Sequence, residues 1–214
     1  MNRIGFVDDL RTIDPDIYPK YQKKFEKKGL TLLSPTPQQT KEALVQWIQE
    51  NNICSLLVDY KLDSEYAFSG TDLVAYINSV LPDLPCIILT AFRGQSIGEH
   101  LVIKPMIRDR DIFTDSKEFN AFADELQHAA QVYTKRLGLH EAEYAQLLAK
   151  KEREQLSVKE EERFLALYKL LRDYGIVDEL PEQLLRPEIE QKMDAMLDQL
   201  RTLVKETSNS EGDN

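Results

Sequence analysis

Cross-linking and metal-stapling residues are scarce in this 214-residue chain, which has two cysteines and three histidines. Cys54 and Cys86 each sit inside an apolar run and share no C-x-x-C spacing, so a zinc ribbon or dithiol redox motif is excluded. Buried free thiols in a reducing compartment are expected instead. His100, His128 and His140 are scattered without metal-ligand spacing, and His140-Glu141 on a predicted helix reads as an ordinary surface pair. No apolar run approaches the roughly 20 residues that a bilayer crossing needs. The run after Met1 extends only from Ile4 to Val7 before it meets two aspartates, so no signal peptide is expected and the chain is expected to be soluble and cytoplasmic. Positive charge is also short: 27 Lys and Arg stand against 37 Asp and Glu, a net charge of -10. Such a surface repels polyanions, and the C-terminal third offers no Arg/Lys-rich recognition helix. Neither a nucleic-acid nor a membrane partner is expected.

What is present is a 42% hydrophobic content, enough for one core of about 120 to 150 residues and a smaller element besides. The stretch Ile53-Cys54-Ser55-Leu56-Leu57-Val58-Asp59 organises the rest. An apolar run this short suits a parallel strand covered on both faces, and ligands collect where such strands end in open α/β sheets. Asp59 is therefore the first functional candidate, against the plainer reading that it solvates a strand end.

Arg3 to Val7 is a strand followed directly by Asp8-Asp9. Adjacent carboxylates repel unless a cation sits between them, so the pair is either a helix cap with a solvated neighbour or a divalent-metal site, since Mg²⁺ takes one or two carboxylates and several waters. Pro15 and Pro19 frame a helix to about Lys28, with Ile17, Tyr21 and Phe25 as its buried stripe. Lys20, Lys23, Lys24, Lys27 and Lys28 give it a basic outer face. A second strand spans Leu30 to Leu33. Thr36-Pro37-Gln38-Gln39 predicts a capped helix start, with Ala43, Leu44, Trp47 and Ile48 as the packed face. After Asp59 a polar, mobile loop is expected from Tyr60 to Tyr66, and Gly70-Thr71-Asp72 opens the next helix. Cys86 to Leu89 is a fourth strand that ends at Thr90-Ala91. The alternation implies a doubly wound parallel sheet, with the first and third strands adjacent at the switch point.

These residues resemble the receiver domain of two-component response regulators. Asp8-Asp9 after the first strand, Asp59 after the third, Thr90-Ala91 after the fourth and Gly70 at the third helix carry the resemblance, over about residues 1–136. It implies a flavodoxin-like, doubly wound five-stranded parallel sheet in the order 2-1-3-4-5. It also implies that Asp59 accepts a phosphoryl group, that Asp8, Asp9, Asp59 and the Lys61 main-chain carbonyl hold Mg²⁺, and that Thr90 reads the phosphate. A histidine kinase or phosphotransfer protein is the implied partner. Receivers place a Lys after the fifth strand, and here two cations compete for that role. Lys104-Pro105 matches in letters but follows Thr90 too closely. Arg110 fits by spacing, yet keeps only the charge of Lys and not its geometry. A fifth strand through Ile112-Phe113-Thr114 would leave no cation.

The division expected is a receiver domain over 1–136, an α-helical hairpin or coiled-coil-like extension over 137–206, and a disordered tail over 207–214. Phe119, Phe122, Leu126, Ala129, Tyr133 and Leu137 stripe one helix. Ser157-Val158-Lys159-Glu160 is a capping box for another, with Phe164, Leu167, Tyr168 and Leu171 behind it, and Ile189 to Leu203 marks a last one. Such helices pack on the sheet domain, on one another, or in a homodimer. Two rivals to phosphorelay signalling remain: a pseudo-receiver scaffold that works without phosphorylation, and a haloacid dehalogenase-type phosphatase, which wants D-x-D where this chain has Asp8-Asp9-Leu10.

Overall fold

The computed structural model describes residues 2–8, 16–37, 40–62, 66–153 and 155–178. Among these, five strands form: β1 (Asn2–Val7), β2 (Leu30–Leu33), β3 (Ile53–Asp59), β4 (Cys86–Thr90) and β5 (Ile107–Asp109). All neighbours pair in parallel, in the order β2-β1-β3-β4-β5. The sheet is therefore the flavodoxin-like one expected. Every residue of β3 is buried, as a central strand covered on both faces requires.

Helices α1 (Ile17–Glu26), α2 (Lys41–Glu50), α3 (Gly70–Val80), α4 (Arg93–Gly98), α5 (Ser116–Lys151) and α6 (Val158–Asp173) surround it. Successive strand residues face opposite sides of a sheet. Phe6 meets Tyr18 and Tyr21 of α1, whereas a Cβ on Gly5 would meet Trp47 of α2 at 3.1 Å. Hence α1 and α2 cover opposite faces, and the Phe25–Phe119 ring contact at 5.2 Å puts α5 beside α1. The basic face of α1 is partly spent inside the molecule. Lys24 donates to the Phe113 carbonyl at 2.5 Å and Lys28 pairs with Asp124, while Lys20, Lys23 and Lys27 stay exposed.

Two expectations need correction. Helix α2 starts at Lys41 rather than in the Thr36-Pro37-Gln38-Gln39 stretch. Thr40 is its cap, extended and accepting from the Ala43 N–H at 3.1 Å, which sets Leu44, Val45 and Ile48 on the core side. The segment after Asp59 is not uniformly polar in setting: Leu62 is fully buried, Tyr66 is 7% exposed, and the Tyr66 N–H bonds the Leu62 carbonyl. Leu62 and Tyr66, the apolar side chains at the described ends of this run, pack with the core. Of the fifth-strand alternatives, the one through Ile112-Phe113-Thr114 is not realised. The fifth strand is Ile107–Asp109, and Arg110–Phe113 forms a 3-10 turn behind it.

Helix α5 has 36 residues and runs through residue 136 without a break. Helix α6 folds back along it. Tyr144 stacks on Phe164 at 5.1 Å, Arg163 forks onto Glu143, and Lys150 meets Glu160. At the end of α6 Gln49 donates to the Asp173 carbonyl, and just beyond it the Tyr174 hydroxyl accepts from the Asp83 N–H. The described residues up to Ile176 belong to one compact unit. The helix expected over Ile189 to Leu203 and the tail 207–214 lie outside the described residues, as does Asp9.

Candidate functional site

The parallel register aligns the carboxyl ends of the central strands. Val7 pairs with Val58, so Asp8 and Asp59, each one residue further on, leave neighbouring strands side by side. Asp59 is level with Leu89, and Thr90 with Asp109, which brings Thr90 and the start of the Arg110 turn to the same edge. Asp8 and Asp59 are each 7% exposed and Thr90 is fully buried. Three of the predicted residues thus meet at one crevice because the β1–β3 and β3–β4 pairings place them there.

Arg110 reaches them through its turn. The Asp109 carboxylate accepts from the Asp111 N–H and starts the turn; Phe113, stacked on Tyr21 at 4.1 Å, anchors its far end to α1. The Arg110 Nη2 donates to Asp8 Oδ2 and stands 3.5 Å from Asp59 Oδ1. Lys104, by contrast, is exposed in the 3-10 turn Lys104–Met106 that precedes β5, at the wrong end of the strand for the crevice. The structure brings Arg110, and not Lys104, to the carboxylates.

Thr90 Oγ1 accepts from the Phe92 N–H at 2.8 Å, which leaves its own proton to donate. The Lys61 ammonium lies 3.9 Å from the Phe92 ring centre, a cation–π contact outside the crevice. Gly70 is obligatory: a Cβ there would sit 1.8 Å from the Asp59 carbonyl oxygen. Its N–H donates to the Tyr60 carbonyl at 2.9 Å, so the first turn of α3 holds the backbone behind Asp59.

No group of three or more His, Cys, Asp or Glu side chains poised for a metal occurs among the described residues. The described donors nevertheless suit a hard cation: two nearly buried carboxylates already turn toward a single positive charge. Sequence reasoning missed Tyr60 and Glu99. The Tyr60 hydroxyl donates to Glu99 Oε1 at 2.6 Å, and the hydroxyl of the fully buried Thr71 donates to Glu99 Oε2. A lone Glu in a polar stretch carries no local signal.

Fold and site define a class, a doubly wound flavodoxin-like α/β protein with a paired-aspartate crevice at its carboxyl edge. No family model and no curated protein matches the chain. Among solved structures, the chain is similar to response regulator receiver domains. The receiver domain of the Francisella response regulator 1452 shares 18% identity over 64% of this chain and 98% of that one, with a TM-score of 0.41. The signal receiver domain of an HD domain-containing protein from Pseudomonas fluorescens Pf-5 shares 16% over 63% and 90%, with a TM-score of 0.47. The RcsB response regulator of Salmonella typhimurium shares 16% over 86% and 96%, with a TM-score of 0.45. No described helix is long and apolar enough to cross a membrane.

Proposed function

We propose that the protein is a phosphoacceptor of a two-component phosphorelay, with Asp59 taking the phosphoryl group from a histidine kinase or phosphotransfer protein. The meeting of Asp8, Asp59 and Arg110 at the carboxyl edge, beside the Thr90 hydroxyl, carries this reading. An Asp59 carboxylate oxygen attacks phosphorus, the P–N bond of the phosphohistidine donor breaks, and its electron pair leaves with the imidazole. The Arg110 guanidinium balances charge as the carboxylate and the phosphoryl oxygens approach, and its planar fork suits two oxygens at once. The Thr90 proton is placed to meet a third.

Asp8, Asp9, Asp59 and the Lys61 main-chain carbonyl would hold Mg²⁺. When bound, the ion supplies positive charge that offsets repulsion between nucleophile and phosphoryl group. The protein is on this reading a signalling protein rather than an enzyme with a separate substrate, and the helical extension makes the protein–protein contacts of the output or, with no output, the chain acts as a phosphate sink. Intact mass after incubation with Mg²⁺ and acetyl phosphate tests it: wild type gains one phosphoryl group and Asp59→Asn gains none. A folded wild type that stays unmodified overturns it.

A second reading, the phosphorylation-independent scaffold, is favoured by one observation. Arg110 already engages both described carboxylates, on the ground a divalent ion needs. Calorimetric titration separates the two: Mg²⁺ binding at millimolar concentration supports the phosphoacceptor, and none up to tens of millimolar supports the scaffold.

A further inference from the structure

Glu99 lies outside the aspartate crevice, in the turn that closes α4. Its carboxylate takes hydroxyl donors from two other elements, Tyr60 behind β3 and Thr71 in the first turn of α3. Tyr60 directly follows Asp59. Thr71 directly follows Gly70, whose N–H holds the Tyr60 carbonyl. These bonds close a ring: Tyr60 main chain to Gly70, Gly70 to Thr71 along the chain, Thr71 to Glu99, and Glu99 back to the Tyr60 side chain. Tyr60 is thereby fixed at backbone and side chain together, one residue from the proposed nucleophile.

The same ring fastens α4. Six residues are too few to hold a helix by its own hydrogen bonds. The start of α4 is held by Thr90 through the Phe92 N–H and by Lys61 over the Phe92 ring; its end is held by Glu99. Immediately beyond lie Leu101, Ile103 and Met106, which are 46%, 67% and 38% exposed. Surface hydrogen bonds are usually weak, but Thr71 is fully buried, so loss of Glu99 leaves its hydroxyl, among the described residues, with the Ser69 Oγ contact at 2.9 Å.

We propose that Glu99 is a positioning residue for Asp59. The Tyr60–Glu99–Thr71 ring sets the backbone behind the nucleophile, and its opening frees α4 together with the apolar segment 101–106. The trigger rests on the phosphoacceptor reading: a phosphoryl group on Asp59 adds negative charge one residue from Tyr60, whose hydroxyl holds the Glu99 carboxylate.

Hydrogen exchange on the full chain tests the ring without any phosphoryl chemistry. Glu99→Ala and Tyr60→Phe should each speed exchange of the Gly70 amide and of the 93–98 amides about tenfold, the effect of one lost charge-assisted hydrogen bond. The double variant should exchange no faster than Glu99→Ala, because both changes cut one ring. An unchanged Gly70 amide, or effects that add, overturns the proposal. With Mg²⁺ and acetyl phosphate, Glu99→Ala should lower the maximal rate of mass gain about tenfold at an unchanged half-saturating concentration, and Glu99→Gln should recover part of it. A wild type that takes up no phosphoryl group ends the phosphoacceptor reading, while Gly70 exchange still decides the role of Glu99.

Discussion

The Nη2 of Arg110 stands 3.5 Å from Oδ1 of Asp59 while the same nitrogen donates to Asp8. One positive charge thus holds two nearly buried carboxylates on adjacent strands. The Arg110 Nε is buried and has no hydrogen-bond partner among the described residues.

Removing that charge takes a cation from both aspartates. Arg110→Ala should destabilise the fold by about 2 to 4 kcal/mol in urea without divalent ions, because nearly buried carboxylates lose a cation that offsets their charge. Adding Asp59→Asn should recover part of the loss, and so should millimolar Mg²⁺. Equal stability of wild type and Arg110→Ala would show that the pair does not couple.

The approach of α3 to β3 leaves no space for a side chain. With a built Cβ 1.8 Å from the Asp59 carbonyl oxygen, Gly70→Ala must shift backbone on one side or the other. A loss above about 3 kcal/mol, or a lowered helical signal with failed phosphorylation, is expected from chemical denaturation and circular dichroism.

Alkali should weaken the fold. Burial pushes the Cys86 thiol up from 9.0 to about 12, and burial chiefly pushes the Tyr174 phenol up from 10.0 to about 12. Cys54 and Tyr133 move the same way for the same reason. These groups keep their protons in the folded state, so their contribution is complete below about pH 9, the unfolded thiol's value, and is lost as pH rises toward 12. Urea midpoints should be flat from pH 7 to 8.5 and fall beyond. Ellman's reagent should find both thiols only after unfolding.

The hairpin responds to acid instead. A hydrogen bond from Lys150 and then those from Ser157 hold the Glu160 carboxyl down at about 2, from 4.5. Its contribution is present above about pH 4.5 and disappears as pH falls toward 2. Ser157→Ala, which removes the other half of the capping box, should cost about 1 kcal/mol. Near-ultraviolet dichroism of the Tyr144 and Tyr168 region is the readout.

Docking of the chain beyond α6 can be checked at Tyr174. Its hydroxyl accepts from the Asp83 N–H at 2.9 Å, and Tyr174→Phe leaves that donor unpaired. A loss of about 1 to 2 kcal/mol is expected, with faster exchange of the Asp83 amide. No change in that amide would mean the contact is absent in solution.

Much of this architecture is written in short-range pattern. Apolar runs of four to seven residues separated by amphipathic helices dictate a parallel sheet, because only crossovers of that length join parallel strands. Where an apolar run ends in a carboxylate, as at Val7-Asp8 and Val58-Asp59, the strand itself delivers the charge to the sheet edge, so both aspartates were legible without coordinates. Gly70 was legible for the same reason, sitting where a helix must begin.

Other features depend on contacts that no local window contains. Thr36 and Thr40 both resemble caps, and the choice falls to Thr40 because only that start turns Leu44, Val45 and Ile48 inward. The fifth strand is three residues long, too short to show a period, so whether Lys104 or Arg110 meets the aspartates was decided by its pairing with β4. Glu99 joins Tyr60 and Thr71 across 39 and 28 residues of chain. Sequence by itself determined the first four strands and which carboxylates they carry to the edge, since period and burial act over a few residues. Only the tertiary structure decided which cation and which hydroxyls meet those carboxylates, since that is settled by register and packing between distant elements.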